Sequence, residues 1–153
     1  MSPKTLEIEV WVDASYATGK KRKSKSGCVM TMGGSPFVWK SKTQRITAKS
    51  SMEAELIALS DIVGWVLWSM EWLEAQGYTN IQSTIWEDNK ACLELIEQGK
   101  PASDASAHIQ TRYFFISEKI KSHKIRVKYL HTKRMNADLF TKGTSIPIFK
   151  FIK

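Results

Sequence analysis

Apolar and polar positions alternate along Leu6-Glu7-Ile8-Glu9-Val10-Trp11-Val12-Asp13, with Leu6, Ile8, Val10 and Val12 on one face. A period of two is that of a β-strand, and Asp13 is expected to end it. Gly27–Met32 and Pro36–Lys40 read as two more strands around a Gly33-Gly34 hairpin. The period then changes. Met52, Leu56, Leu59, Val63, Val66, Met70 and Leu73 follow the three-then-four spacing of one helix face. This long helix runs to about Gln76, where Gly77 stops it, and Ser50 with Glu53 forms a capping box at its start. Ile81–Asp88 is a fourth strand, and Asn89–Gln98 is a short helix closed by Gly99. His108–Ile120 is an amphipathic helix whose inner face is Ile109, Tyr113, Ile116 and Ile120. Ile125–Leu130 alternates apolar and basic residues as a half-exposed strand, and Asn136–Lys142 begins a last helix.

Composition narrows the class of molecule. The 153 residues suit one domain over 1–153, with a core at about 5–142 and a tail at 143–153. A hydrophobic fraction of 42% and six Trp argue for a folded globule. Trp65, Trp68 and Trp72, at helical spacing, read as core and rim packing and not as a base-stacking platform. The formal charge of +8 points to a polyanionic partner, nucleic acid being the commonest; the alternative is a basic surface that only keeps the chain in solution. Cys28 and Cys92 sit in apolar surroundings and suggest reduced core residues of an intracellular protein. Met1–Glu9 lacks the apolar region of a signal peptide. Ile57–Leu73 is interrupted by Ser60, Asp61, Ser69 and Glu71, so no membrane span is expected. Gly19–Lys25 is a basic loop, open to reading as a solvated tip, a phosphate contact or a nuclear-localisation match. Lys40, Lys42, Arg45 and Lys49 carry the positive charge on toward the long helix.

Four acids invite a chemical reading. Glu55 lies along the apolar stripe in the first turn of the long helix, where a carboxylate costs stability unless it reaches water or a cation. Asp13 at a strand end also suits an Asx turn. Asp88 also suits the N-cap of the helix after it, and Asp138 the favourable end of a helix dipole capped by Asn136. Each has an innocent explanation. In an α/β fold, however, strand ends and helix starts can meet at one sheet edge. Four carboxylates meeting there repel one another unless a hard divalent cation joins them.

The order strand, hairpin, long helix, strand, helix, helix, strand, helix resembles the ribonuclease H fold. The finer resemblance is to the ribonuclease H domain of copia-type LTR retrotransposon polyproteins, and it covers nearly the whole chain. It is carried by Val12-Asp13-Ala14-Ser15, Ser24-Lys25-Ser26-Gly27, Trp39-Lys40-Ser41-Lys42, Ser50-Ser51-Met52-Glu53-Ala54-Glu55, Asp88-Asn89, His108-Ile109, Arg112-Tyr113 and Ala137-Asp138-Leu139-Phe140-Thr141-Lys142. It implies an α/β fold with a central mixed five-stranded sheet, three antiparallel strands then parallel ones, flanked by helices.

The resemblance further implies an endonuclease that cuts the RNA strand of an RNA–DNA hybrid, leaving 5′-phosphate and 3′-hydroxyl ends. Asp13, Glu55, Asp88 and Asp138 would be the catalytic residues and would hold two Mg²⁺ ions, Mn²⁺ being a substitute. Such ions sit roughly 4 Å apart, one activating water and one stabilising the leaving oxygen, with Asp13 as the bridge. Selectivity would come through the 2′-hydroxyls. Ser15, Lys42, Lys49, Ser51, Asn89 and Arg112 are the candidate nucleic-acid contacts. The expected partners are the hybrid and a reverse transcriptase domain in the same polyprotein. The expected location is the cytoplasm, in a retroelement particle, or the nucleus. Gln110 departs from the family's usual Asp after His-Ile, and His131 stands closer to Asp138 than the mobile His of many cellular enzymes. His131 is therefore not assigned a catalytic role, and His108 with Arg112 fits either a surface pair or a substrate contact. The alternative function is a non-catalytic binding module for nucleic acid or protein that keeps the fold. A DNA-processing relative, such as an integrase or resolvase, is argued against by Ala54–Leu59 and Ala137–Lys142.

Overall fold

The computed structural model describes residues 6–18, 20–98, 105–122 and 125–141. Gly19, the Gly99 stop, Lys142 and the expected tail at 143–153 lie outside the described residues. Five strands, β1 (Leu6–Ser15), β2 (Lys25–Met32), β3 (Ser35–Thr43), β4 (Ile81–Glu87) and β5 (Ile125–Tyr129), form one sheet in the order β3-β2-β1-β4-β5. The first three pair antiparallel, and β4 and β5 then add parallel, as expected. The β2–β3 turn works because Gly33 and Gly34 take φ of 58° and 80°, the left-handed values of a tight hairpin.

Three helices follow in α1 (Ser51–Ala75), α2 (Lys90–Gln98) and α3 (Ala107–Ser122). At the start of α1 the Ser50 hydroxyl accepts the Glu53 amide at 3.2 Å. The Glu53 carboxylate accepts the Lys49 amide at 2.7 Å, one residue earlier than an ideal capping box places it. Its end is a Schellman closure: Tyr78 N–H donates to the Leu73 carbonyl and Gly77 N–H to the Glu74 carbonyl, with Gly77 at φ 90°. Leu56, Leu59, Val63, Val66 and Leu73 of α1 pack on Ile8, Val10, Val12 and Met30 of the sheet, all buried. By length and hydropathy α1 is long enough to cross a membrane, against the reading of its polar interruptions; 56% of that window is buried inside the domain, as in a core helix.

Three expectations need correction. Asp13 does not end β1, which runs on to Ser15 and pairs Asp13 with Gly27. The last helix is, in the described residues, a five-residue 3₁₀ turn at Asn136–Phe140 with Met135 as its uncapped N-cap, so Asn136 lies inside it. It packs closely on β2: a Cβ on Gly27 would stand 2.6 Å from Thr141 Cγ2 and 2.8 Å from Phe140 Cβ. Trp65, Trp68 and Trp72 are exposed by 42%, 56% and 52%, so they are not core.

Candidate metal centre

The centre is built where three elements end or begin. Period two along β1 turns Val12 toward α1 and Asp13 to the opposite face, where Thr141 Oγ1 donates a hydrogen bond to Asp13 Oδ2. The N-terminal part of α1, just past its first turn, brings Glu55, 5% exposed, to the same end of the sheet. Asp88 follows the last residue of β4. It does not cap α2; Asn89 does, its side-chain oxygen accepting the Cys92 amide at 3.1 Å. The Asp88 carboxylate is thereby left to the cluster. Carboxylate oxygens of Asp13, Glu55 and Asp88 all lie within 4.8 Å of one another.

Asp138 is not in that group. It sits half-buried on the 3₁₀ turn, whose end is tied back to the site through Thr141 and Asp13. Three of the four expected acids therefore converge, and the fourth stands on the element packed beside them.

The electrostatics of the cluster are unfavourable without a cation. Burial pushes the Glu55 carboxyl up to about 10, helped by the charges of Glu87, Asp13 and Asp88, against a backbone hydrogen bond from Ala14. Glu55 Oε2 is buried with no hydrogen-bond partner among the described residues. An orphaned buried carboxylate oxygen facing two other carboxylates fits a hard divalent cation: oxygen ligands in excess of donors, and charge to neutralise. Asp13, Glu55 and Asp88 are the residues that could hold it.

Beneath the three lies a carboxyl that sequence reasoning missed. Glu87 has no exposed surface. Its Oε1 accepts the Asn89 amide at 3.0 Å, and its Oε2 has no partner among the described residues. Burial pushes it up to about 8, the Asn89 hydrogen bond opposes this, and the Asp88 and Asp13 charges add to it. The signal was present: Ile81, Ser83 and Ile85 set an inward period of two that Glu87 continues. Burial is also the first cause of the raised Cys92 thiol, and the Glu87 and Glu55 charges add to it.

The proposed nucleic-acid contacts divide. Ser15 is 2% exposed and shares a 2.9 Å hydrogen bond with Thr18, so it does not face solvent. Asn89 uses its side-chain oxygen as the α2 cap. Lys49 and Ser51 are exposed at the start of α1, the helix that carries Glu55. Lys42 and Arg112 line one groove of about 290 Å³ together with Gln44 and Arg45. Arg112 is held there by Asp61 at 2.7 Å and Ser60 at 3.1 Å. In the basic loop, Lys23 donates to the Arg45 carbonyl and to Thr47, bracing the segment before α1. His108 lies 3.3 Å from the Ser106 hydroxyl, and His131 accepts the Lys133 amide as a local cap.

No family model matches the chain. It is 28% identical over 136 residues to the retrovirus-related Pol polyprotein from transposon TNT 1-94 of Nicotiana tabacum, covering 88% of this chain and 10% of that protein. It is 24% identical over 148 residues to the transposon Ty1-ER2 Gag-Pol polyprotein of Saccharomyces cerevisiae, covering 97% of this chain and 8% of that protein. The chain thus spans about a tenth of the length of the curated relatives it matches. Among solved structures it is similar to LC11-RNase H1, isolated from compost, at a TM-score of 0.67 and 13% identity over 88% of this chain and 92% of that one. The same protein in complex with RNA/DNA hybrid matches at 0.65 and 12% identity, over 88% and 93%. The foamy viral protease-reverse transcriptase in complex with RNA/DNA hybrid matches at 0.56 and 13% identity, over 91% of this chain and 20% of that one. The fold is that of ribonuclease H, and the sequence relatives are retrotransposon Pol polyproteins.

Proposed function

We propose that this chain, a ribonuclease H-type domain related to retrotransposon Pol polyproteins, is a metal-dependent endonuclease that cuts the RNA strand of RNA–DNA hybrids. The observation that carries the reading is the convergence of Asp13, Glu55 and Asp88 at one sheet end, with a buried Glu55 oxygen lacking a partner. A protein that only binds nucleic acid gains nothing from buried carboxylates that repel its ligand. The relatives support the place of this activity in reverse transcription, and the hybrid complex of a fold neighbour supports the substrate.

Asp13, Glu55 and Asp88 would hold divalent metal, Mg²⁺ or Mn²⁺, and Asp138 would join from the adjoining 3₁₀ turn. A pair of such ions supplies an activated water and neutralises charge at the scissile phosphate. The chain's own residues do the rest. The Ala14 amide holds one Glu55 oxygen and leaves the other toward the cluster. Thr141 fixes the Asp13 carboxylate, and the Asn89 cap with the Glu87 hydrogen bond fixes the Asp88 turn. Lys49, exposed just before α1, and Lys42 in the groove offer phosphate contacts that position a duplex without reading its sequence. The products would carry 5′-phosphate and 3′-hydroxyl ends, and the reverse transcriptase portion of the polyprotein would be the partner in the same chain.

The test offers four end-labelled substrates: RNA–DNA hybrid, RNA duplex, DNA duplex and single-stranded RNA, each with Mg²⁺. Cleavage confined to the RNA strand of the hybrid is the expected result. Cleavage of DNA duplex would refute the substrate assignment.

A further inference from the structure

Resting on the metal centre of that reading, we propose that Glu87 is its positioning residue: the buried carboxyl clamps the Asp88–Asn89 turn and so sets how tightly the centre holds its cation. The three carboxylates differ in what holds them. Asp13 lies within β1, paired with Gly27, and takes the Thr141 hydroxyl. Glu55 lies within α1 and takes the Ala14 amide. Asp88 lies in neither a strand nor a helix, because β4 ends at Glu87 and α2 begins at Lys90. Its direction is therefore set by the residues on either side of it.

Both of those residues are fixed. The Leu130 amide donates to the Glu87 carbonyl at 2.9 Å, which ties the end of β4 to the residue after β5. Asn89 caps α2 with its side chain, and its carbonyl accepts the Leu93 amide at 3.2 Å. The Glu87 side chain then joins the two. Its Oε1 accepts the Asn89 amide at 3.0 Å, reaching past Asp88, and the Asp88 amide is the other backbone donor that acts on the same carboxyl. A turn closed in this way gives the Asp88 carboxylate fewer orientations to lose when it takes a cation.

Packing does not account for Glu87. Its side chain continues the inward face of Ile81 and Ile85 and has no exposed surface. An apolar side chain of similar length would fill the position without burying a polar group. Oε2 has no partner among the described residues, so the carboxyl ties no other element into the core. What it does hold is the turn that carries Asp88. Its charge also acts on Glu55, ahead of the charges of Asp13 and Asp88. Charge alone is thus the rival explanation. Gln separates the two, because it keeps an acceptor oxygen and loses the charge.

The test uses Mn²⁺ alone, without nucleic acid, its free form counted by electron paramagnetic resonance. Glu87→Met, which fills the space and accepts nothing, should bind Mn²⁺ about tenfold or more weakly than the wild type. Glu87→Gln should stay near the wild-type affinity. Thermal unfolding of the metal-free proteins separates positioning from plain support. Glu87→Met should melt at or above the wild-type temperature, because it removes a buried carboxyl. Wild-type affinity in Glu87→Met overturns the proposal, and so does an equal loss in both variants, which would assign the effect to charge. Amide exchange followed by NMR keeps the proposal open to refutation if Glu87→Met does not fold. The Asn89 amide should be protected in the wild type and in Glu87→Gln; rapid exchange there, with β4 protected, removes the clamp. A wild type that binds no Mn²⁺ would sink the metal centre and this role with it. Mn²⁺ bound as expected, with no hybrid cleavage, would sink the nuclease reading and leave the role of Glu87 standing.

Discussion

Replacing Glu55 by Gln should make the metal-free protein less sensitive to rising pH. The Glu55 carboxyl is ordinary at 4.5 in the unfolded chain and pushed up to about 10 in the fold, first by burial and then by the charges of Glu87, Asp13 and Asp88. Because the folded value is the higher one, the native state keeps a proton that the unfolded chain releases between those limits. The resulting stability is fully present below pH 4.5, declines as pH rises, and is lost as pH passes about 10. One such group contributes a slope of at most about 1.4 kcal/mol per pH unit. With coupling to Glu87 reducing this, on the order of 1 kcal/mol per unit gives roughly 3 kcal/mol between pH 5.5 and 8.5. Gln keeps an oxygen for the Ala14 amide and carries no titrating proton, so Glu55→Gln lacks the slope. In a domain of this size about 1 kcal/mol moves the melting temperature by 2–4 °C, so wild type should lose roughly 6–12 °C more than the variant over that range. Thermal unfolding in EDTA at four pH values gives the two curves. Parallel curves, or a wild type that gains on the variant as pH rises, would refute the electrostatic account of the site.

Other outcomes follow from the same geometry. Divalent metal must displace the proton held at Glu55, so calorimetry in buffers of different ionisation enthalpy should detect roughly one proton released per chain at pH 7 on adding Mn²⁺; no release means the carboxyl was already ionised. Gly27→Ala would place a methyl 2.6 Å from Thr141 Cγ2, so it should cost about 1–3 kcal/mol in urea unfolding and slow cleavage by displacing the turn that carries Asp138. An unchanged midpoint would show that the turn shifts freely. Arg112→Ala breaks a partly exposed pair with Asp61 and should cost less than about 1 kcal/mol, while weakening hybrid binding and its salt dependence; binding unchanged across salt would remove Arg112 from the interface.

The strands and helices were legible because their periods are strong and their punctuation is chemical. Gly33-Gly34 and Gly77 take the positive φ their turns require, and the β4 alternation carries through to Glu87. Asp88 was ambiguous in sequence because two adjacent residues, Asp88 and Asn89, can both cap a helix; the Asn89–Cys92 bond removes the ambiguity. The α1 pattern misled for a physical reason. Trp65, Trp68 and Trp72 repeat the spacing of Val63, Val66, Met70 and Leu73, so periodicity finds two apolar stripes and cannot say which one faces the sheet. The 3₁₀ turn looks like a helix in sequence because Asn136 and Asp138 are good helix-start residues. It packs against Gly27, more than a hundred positions away, a contact that local sequence does not show. Glu87 is masked in the sequence by its neighbour: Asp88 matches the acidic motif, whereas the buried carboxyl beneath the site belongs to the residue before it.

The central claim is that the carboxylate cluster makes this fold a nuclease and not merely a binder. The most direct test is single-turnover cleavage of a labelled RNA–DNA hybrid, with Mg²⁺ and with EDTA, by the wild type and by Asp88→Asn. Hybrid binding is followed in parallel by fluorescence anisotropy. The account predicts RNA-strand cleavage by wild type only with metal, a loss of about a hundredfold or more in Asp88→Asn, and binding retained in the variant. Hybrid bound by wild type at high enzyme concentration with Mg²⁺, yet left uncut, would contradict it.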